Sequence, residues 1–306
     1  MNKYLSIAVL STLLLSSSSA GEYRIAVGNF NWKLSFPFMS TDIDQTVAVL
    51  SYEEAHSNIF STDFFWFYNV DLYTAKKSNK LVSYIQEATS VMPNTLRTTI
   101  NNFKDMASKY SPVSVPAEFK IHGLDANIGL GYDLINNKKY IVGLGVNSGL
   151  SLPYLDSSAS DETKIYMPNI APKINMGKTD FFTYKLGPMI YLQANLTKKF
   201  ATYISGSYGY QVGWIKNSFL ASSLTVHGRY NYIDAGIRFR PWKKNIDLGF
   251  FEIDPSFYIT AGYMHKNWKV NDIKVKLFKN LSGNLGGIVK SKFKNNYAYI
   301  GIGYSY

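Results

Sequence analysis

Apolar and small polar residues alternate with a period of two over most of this 306-residue chain. That is the spacing of a β-strand with two unlike faces. From Lys138 to Pro153 one face carries Tyr140, Val142, Leu144, Val146, Leu150 and Leu152, and the other Gly143, Gly145, Asn147, Gly149 and Ser151. Similar splits separate Leu124, Ala126, Ile128, Leu130, Tyr132 and Leu134 from Asp125, Asn127, Gly129 and Gly131, and Leu186, Pro188, Ile190 and Leu192 from Lys185, Gly187, Met189, Tyr191 and Gln193. They also separate Ile204, Tyr208, Tyr210, Val212 and Trp214 from Tyr203, Ser205, Ser207, Gly209 and Gln211. In two places the apolar set changes parity. Tyr23, Ile25 and Val27 give way to Phe30, Trp32 and Leu34, and Val226, Tyr230 and Tyr232 give way to Ile233, Ala235, Ile237 and Phe239. For the second, one extra residue near Tyr232–Ile233 predicts a β-bulge.

The composition of the second face decides between two all-β classes. A soluble sandwich would carry Lys, Glu and Thr on its solvated side. Here that side is Gly, Ser, Asn and Tyr, and Tyr140–Leu152, Ala201–Ile215 and Tyr297–Tyr306 contain no charged residue. Such strands suit a barrel with lipid outside and a crowded polar lumen inside. In a bilayer only closure satisfies their backbone groups. At the C-terminus Ala298, Ile300, Ile302, Tyr304 and Tyr306 share a face. A last strand of this kind ending on an aromatic resembles the C-terminal signature of bacterial outer-membrane β-barrels. The resemblance implies that the barrel-assembly machinery reads the strand ending at Tyr306.

Short connections at Asn136–Lys138, Thr197–Lys199 and Pro241–Asn245 mark one end of the barrel. Barrels of this class keep short turns in the periplasm and long loops outside. Tyr132, Tyr140, Phe200, Tyr304 and Tyr306 then form a girdle beside the turns, with Tyr210 and Trp214 at the far end. Counting back from Tyr306 gives eight strands, 295–306, 255–270, 222–240, 199–216, 181–196, 138–153, 117–134 and 57–73. A further hairpin within 22–52 makes ten, the favoured number, with eight plus an N-terminal plug or twelve as alternatives. The fold class is therefore all-β, a transmembrane antiparallel up-and-down barrel. One segment departs from it. Leu96, Ile100, Phe103, Met106 and Tyr110 recur at helical spacing after Pro93, and Leu81, Ile85 and Ala88 precede them, predicting an extracellular helical insertion over 79–112.

Composition sharpens the setting. Lys3, the apolar run Tyr4–Leu15, a serine tract and small residues at Ser18 and Ala20 read as a secretory signal peptide over 1–20, with an N-terminal membrane helix as the alternative. The mature chain, 21–306, then begins at Gly21 and is bound for a bacterial outer membrane. There is no cysteine, which removes lipoprotein anchoring, disulfides and thiolate metal sites. Setting Lys3 apart from the 32 basic residues leaves 31 against 21 acidic ones. For an exported protein the first anions met are lipid phosphates rather than nucleic acid.

Chemistry is sparse. Outer-membrane phospholipases and lipid A deacylases use a His with a Ser two residues away, whereas His56 and Ser57 are adjacent and face opposite sides of a strand. Omptin proteases use an Asp-His pair, and no Asp-x-His occurs here. His227 with Arg229, on the set read as lumen-facing, is the remaining catalytic candidate, against the simpler reading of a solvated rim histidine. Neither zinc spacing nor a phosphate-cradling glycine motif is present, so no metal or cofactor is expected. The stretch Lys266–Lys294 is strongly basic. Lys266, Lys269, Lys274, Lys276, Lys290 and Lys292 are candidate ligands for lipopolysaccharide phosphates, or else a solvated edge-protecting loop. Three functions remain open: a barrel with a largely filled lumen acting as a narrow solute path or surface binding protein, a lipid- or peptide-hydrolysing barrel, and an adhesin or receptor using 79–112.

Overall fold

The computed structural model describes residues 21–36, 39–56, 62–84, 113–168, 171, 177–217, 224–242, 244–247, 252–253, 255–278, 281–284 and 290–304. The strands are β1 (Gly21–Phe36), β2 (Met39–His56), β3 (Phe64–Ala75), β4 (Ser78–Tyr84), β5 (Val113–Asn136), β6 (Tyr140–Ala159) and β7 (Gly177–Asn195). After them come β8 (Phe200–Asn217), β9 (Leu224–Phe239), β10 (Ile246–Asp247), β11 (Glu252–Ile253), β12 (Phe257–Phe278), β13 (Leu281–Asn284) and β14 (Lys290–Tyr304). One short helix, α1 (Asp161–Tyr166), follows β6, its N-terminus capped by Ser160.

Neighbouring strands pair antiparallel in the order β1, β14, β12, β9, β8, β7, β6, β5, β3, β2, and β2 returns to β1. β4 carries the line of β3 onward between β2 and β5. The result is a closed ten-strand up-and-down barrel, and closure leaves no backbone edge unpaired. Two tight turns join β5 to β6 and β7 to β8 at one end, with the Asn137 and Thr197 side chains accepting backbone N–H bonds at 2.8–3.1 Å. The short turn expected at Pro241–Asn245 is instead a longer connection from Phe239 to Phe257 that carries the paired strands β10 and β11. The opposite end carries the connections from β4 to β5, β6 to β7 and β12 to β14, together with the close β1–β2 hairpin that pairs Phe36 with Met39.

Near the short turns the barrel is apolar outside. Leu144, Ile190, Val212 and Ile302 are 47, 42, 43 and 52% exposed. Tyr132, Tyr140, Phe200 and Tyr304 ring the outer wall as expected, and Tyr210 and Trp214 face outward further up. Tyr203, Tyr297 and Tyr299 are buried within. Toward the long loops the pattern reverses. Trp32, Phe293, Phe181, Ile43, Ile121 and Val226 fill the interior, while Asn31, Asp42, Lys269 and Arg229 look outward. On β1, β2, β9, β12 and β14 the long-loop half is thus a water-type wall over a hydrophobic core, stacked on a membrane-type barrel with a polar one, whereas on β6 to β8 the apolar wall reaches higher.

This inversion corrects three expectations. The parity changes in β1 and β9 involve no irregularity at those points: β1 pairs with both neighbours without a break from Glu22 to Ser35, and β9 runs evenly through Tyr232 and Ile233. A register shift does occur, but on the partner strand between Val270 and Asp272. The strands also run further than predicted, to Ala159 in β6 and Phe278 in β12, because in the long-loop half the apolar parity is the inward one. Finally, 79–84 of the proposed helical insertion belongs to β4, hydrogen-bonded to β5. Residues 85–112, the predicted signal peptide 1–20 and Tyr306 lie outside the described residues.

Candidate functional site

The lumen is filled in layers. In the long-loop half Trp32 and Phe293 meet edge to face at 4.4 Å, Phe181 packs on Phe293 at 4.5 Å, and Phe30 stacks on Tyr73 at 5.3 Å. Trp268 joins this plug and donates its indole N–H to Ser151 Oγ at 2.8 Å. Apolar side chains can seal this half because the wall outside them is polar.

Beneath the plug lies a charged lattice. Lys266 Nζ reaches Asp71 and Asp125, each at 2.6 Å, and Lys185 Nζ reaches Asp125 at 2.5 Å and Asn127 Oδ1 at 2.9 Å. Ser51 and Tyr297 donate to Asp71, and Ser151 donates to Asp125. Two lysines thus face two carboxylates, all four at most 1% exposed. Charges so deeply buried are tolerable only when paired and hydrogen-bonded.

A second lattice sits closer to the short turns. Arg24 donates to Asp234 at 2.8 Å and to Glu22 at 2.5 Å, with Glu53 at 3.1 Å. Arg238 bonds Glu22 at 3.2 Å and Gln193 at 3.0 Å. Tyrosine rings support both guanidinium groups, Tyr299 under Arg24 at 4.5 Å and Tyr203 under Arg238 at 4.4 Å. A cavity of about 490 Å³ runs beside both lattices, from Lys266 and Asn127 past Glu53 and Arg238, walled by Phe65, Phe67, Met189 and Met264. Gly129 allows Phe67 to lie flat on the wall, since a Cβ there would collide with its ring.

The candidate residues from sequence separate clearly. Lys266 belongs to the interior lattice, not to the rim. It shares parity with Met264 and Trp268, and its strand continues to Phe278, so no loop lifts it outward. His227 and Arg229 face outward rather than into the lumen, because Leu224, Val226, Tyr230 and Tyr232 hold the inward positions of β9. Lys269 and Lys292, however, are brought together. They are register partners, Lys292 also faces Lys33, and Lys269 faces Arg229. The outcome is a row of four cations, Lys33–Lys292–Lys269–Arg229, on the outer wall of four adjacent strands. Lys33 is paired at its free side with Asp42 at 2.5 Å. Two residues nearer the turns run Asn31, Lys294, Asn267 and Asn231, and below the next row the apolar wall begins with Val27, Ala298, Tyr263 and Ala235. The side chains of Lys274, Lys276 and Lys290 lie outside the described residues.

Sequence reasoning missed Arg229 and Lys33 as members of this row, and missed both lattices. For the first lattice a signal was present: Lys185 stands on an otherwise uncharged inward face of β7, and Asp125 shares its face of β5 with one other charge, Asp133. Opposite charges isolated in one lumen have only each other as partners. Of the other histidines, His56 bonds Glu54 at 2.5 Å, His265 bonds Asn296 at 2.5 Å, and His122 stands 3.5 Å from Asp156, longer than a normal hydrogen bond. Among the described residues no group of three or more His, Asp or Glu is placed to hold a metal ion.

No protein-family model matches the chain, and no curated protein matches it. Among solved structures it is similar to the outer membrane protease OmpT from Escherichia coli, with a TM-score of 0.48 and 11% identity over 94% of this chain and 97% of that one. It is similar to Neisserial surface protein A, with a TM-score of 0.31 and 10% identity over 93% and 97%. It is also similar to the toluene transporter TodX of Pseudomonas putida, at 0.25 and 10% over 94% and 90%. Likenesses this distant say nothing of activity, and function has to come from the lumen and the cation row.

Proposed function

We propose that this chain is a bacterial outer-membrane barrel that seals rather than conducts, and that it serves as a surface binding protein. Its long-loop half stands above the bilayer, seated on lipopolysaccharide phosphates. The observation that carries the reading is the cation row, set three rows above the apolar wall. The row stands on the water side of that wall, facing the region where an outer leaflet carries its phosphates, and each Lys or Arg near such a surface contributes on the order of 1 kcal/mol. Beneath the row the aromatic plug and two ion lattices occupy the bore, which favours binding over transport.

The test is native mass spectrometry of the purified barrel with lipid A and with its dephosphorylated form. Wild type should retain the phosphorylated lipid selectively. The variant Lys33→Gln/Arg229→Gln/Lys269→Gln/Lys292→Gln should lose that preference while keeping its fold. Equal retention by both proteins would refute the seat.

A further inference from the structure

On the outer wall near the short turns lies a carboxylate that the membrane face does not explain. Glu54 has outward parity in β2, between inward Glu53 and inward-facing Ala55, yet it is only 6% exposed. Tyr52 Oη and Tyr68 Oη each donate to its Oε2 at 2.6 Å, and His56 Nε2 meets Oε1 at 2.5 Å. The Tyr23 ring leans on Tyr52 at 4.7 Å, and Trp66 stacks on Tyr68 at 5.5 Å and on His56 at 4.7 Å. A carboxylate offers about four acceptor sites. These partners occupy three, inside a box of aromatic faces that suits a cation.

The register supplies the cation. Gly21, the first residue of β1, is paired directly opposite Glu54, and directly opposed residues have Cβ positions about 5 Å apart. Gly21 shares the outward parity of Tyr23. The Tyr52 ring lies over it so closely that a Cβ at Gly21 would collide with the hydroxyl that bonds Glu54.

We infer that Glu54 is a primary-ammonium site whose occupant is the α-ammonium of Gly21, an inference that rests on removal of the leader after Ala20. In that step a peptidase adds water across the Ala20–Gly21 bond. Ala20 leaves with the new carboxylate, and the Gly21 nitrogen becomes an ammonium under the Tyr52 ring. Before cleavage the same nitrogen is a neutral amide and brings no charge to Glu54. Processing therefore completes an ion pair on β1, the strand whose other edge closes the barrel against β14. Glycine at 21 is what lets Tyr52 cover the pair.

The experiment uses protein purified from membranes, first for its N-terminal sequence and then for the reactivity of that terminus. A terminus at Gly21 is required, and any other start overturns the inference. At pH 7 an amine-reactive ester should label the Gly21 amine at least about tenfold more slowly in wild type than in Glu54→Gln, read on the N-terminal peptide. A mature chain refolded with one extra alanine before Gly21 should label as fast as Glu54→Gln, and adding Glu54→Gln to it should change nothing further. This second variant keeps the carboxylate, so it answers even if Glu54→Gln folds poorly. Equal labelling of wild type and both variants refutes the pair. Protection that depends on phosphatidylethanolamine in the nanodisc, and disappears in phosphatidylglycerol, overturns it too and assigns the site to a lipid ammonium.

Discussion

Lys266 and Asp125 stand on diametrically opposite strands of the ten-strand ring, β12 and β5, and meet in the lumen at 2.6 Å. The pair is a strut across the bore. Asp71 and Lys185 brace it from two further strands, so four walls share one charge-balanced knot.

Removing one member should cost much more than a surface ion pair. Lys266→Met leaves Asp71 without a cation and Asp125 with Lys185 alone, and breaking a buried pair in this way costs about 3–5 kcal/mol. The urea midpoint of the refolded barrel in detergent should fall accordingly. Adding Asp71→Asn to Lys266→Met should recover part of that loss, because it removes the orphaned charge.

The inversion of the wall can be located by charge. Ile300, 60% exposed, is placed in the apolar band, where Arg costs about 2–4 kcal/mol near the bilayer midplane. Asn31→Arg, on adjacent β1 and above the band, should change stability by less than about 0.5 kcal/mol. Unfolding from lipid vesicles measures both. Equal penalties would contradict a water-exposed long-loop half.

Truncation gives the complementary contrast. Phe293→Ala empties part of the aromatic plug and should cost about 3–5 kcal/mol. Val146→Ala, at a site 53% exposed on the opposite kind of surface, should cost under about 1 kcal/mol, since acyl chains close over the missing methyl groups.

Planar bilayers should show no conductance steps for wild type. Trp32→Ala should remain silent as well, because both ion lattices persist below the plug. Discrete openings in either protein would show a path through the lumen.

The class of fold was legible because lipid and lumen impose opposite chemistry on successive residues. Leu144, Ile190, Val212 and Ile302 fall where their alternation assigns them. The long-loop half was not, because there Phe30, Trp32 and Tyr230 are as apolar as any lipid-facing residue while pointing inward. A period of two reports which residues share a face, not which solvent that face meets. For the same reason the lysines after Tyr263 could not be sorted by composition. Lys266 and Lys269 differ by one step in parity, and that step separates an interior strut from an exterior cation.

The apolar wall is unequal in height around the ring. On β14 it spans Ala298 to Tyr304 and on β6 Tyr140 to Leu152, roughly 20 Å against 40 Å of strand, or about 15 Å against 30 Å once tilted. A bilayer of uniform thickness does not fit both sides. The molecule must lean, or the lipid must pinch beside β14 and β1, where the first and last strands meet. Either way the surrounding membrane meets its shortest apolar wall at the seam between the first and last strands.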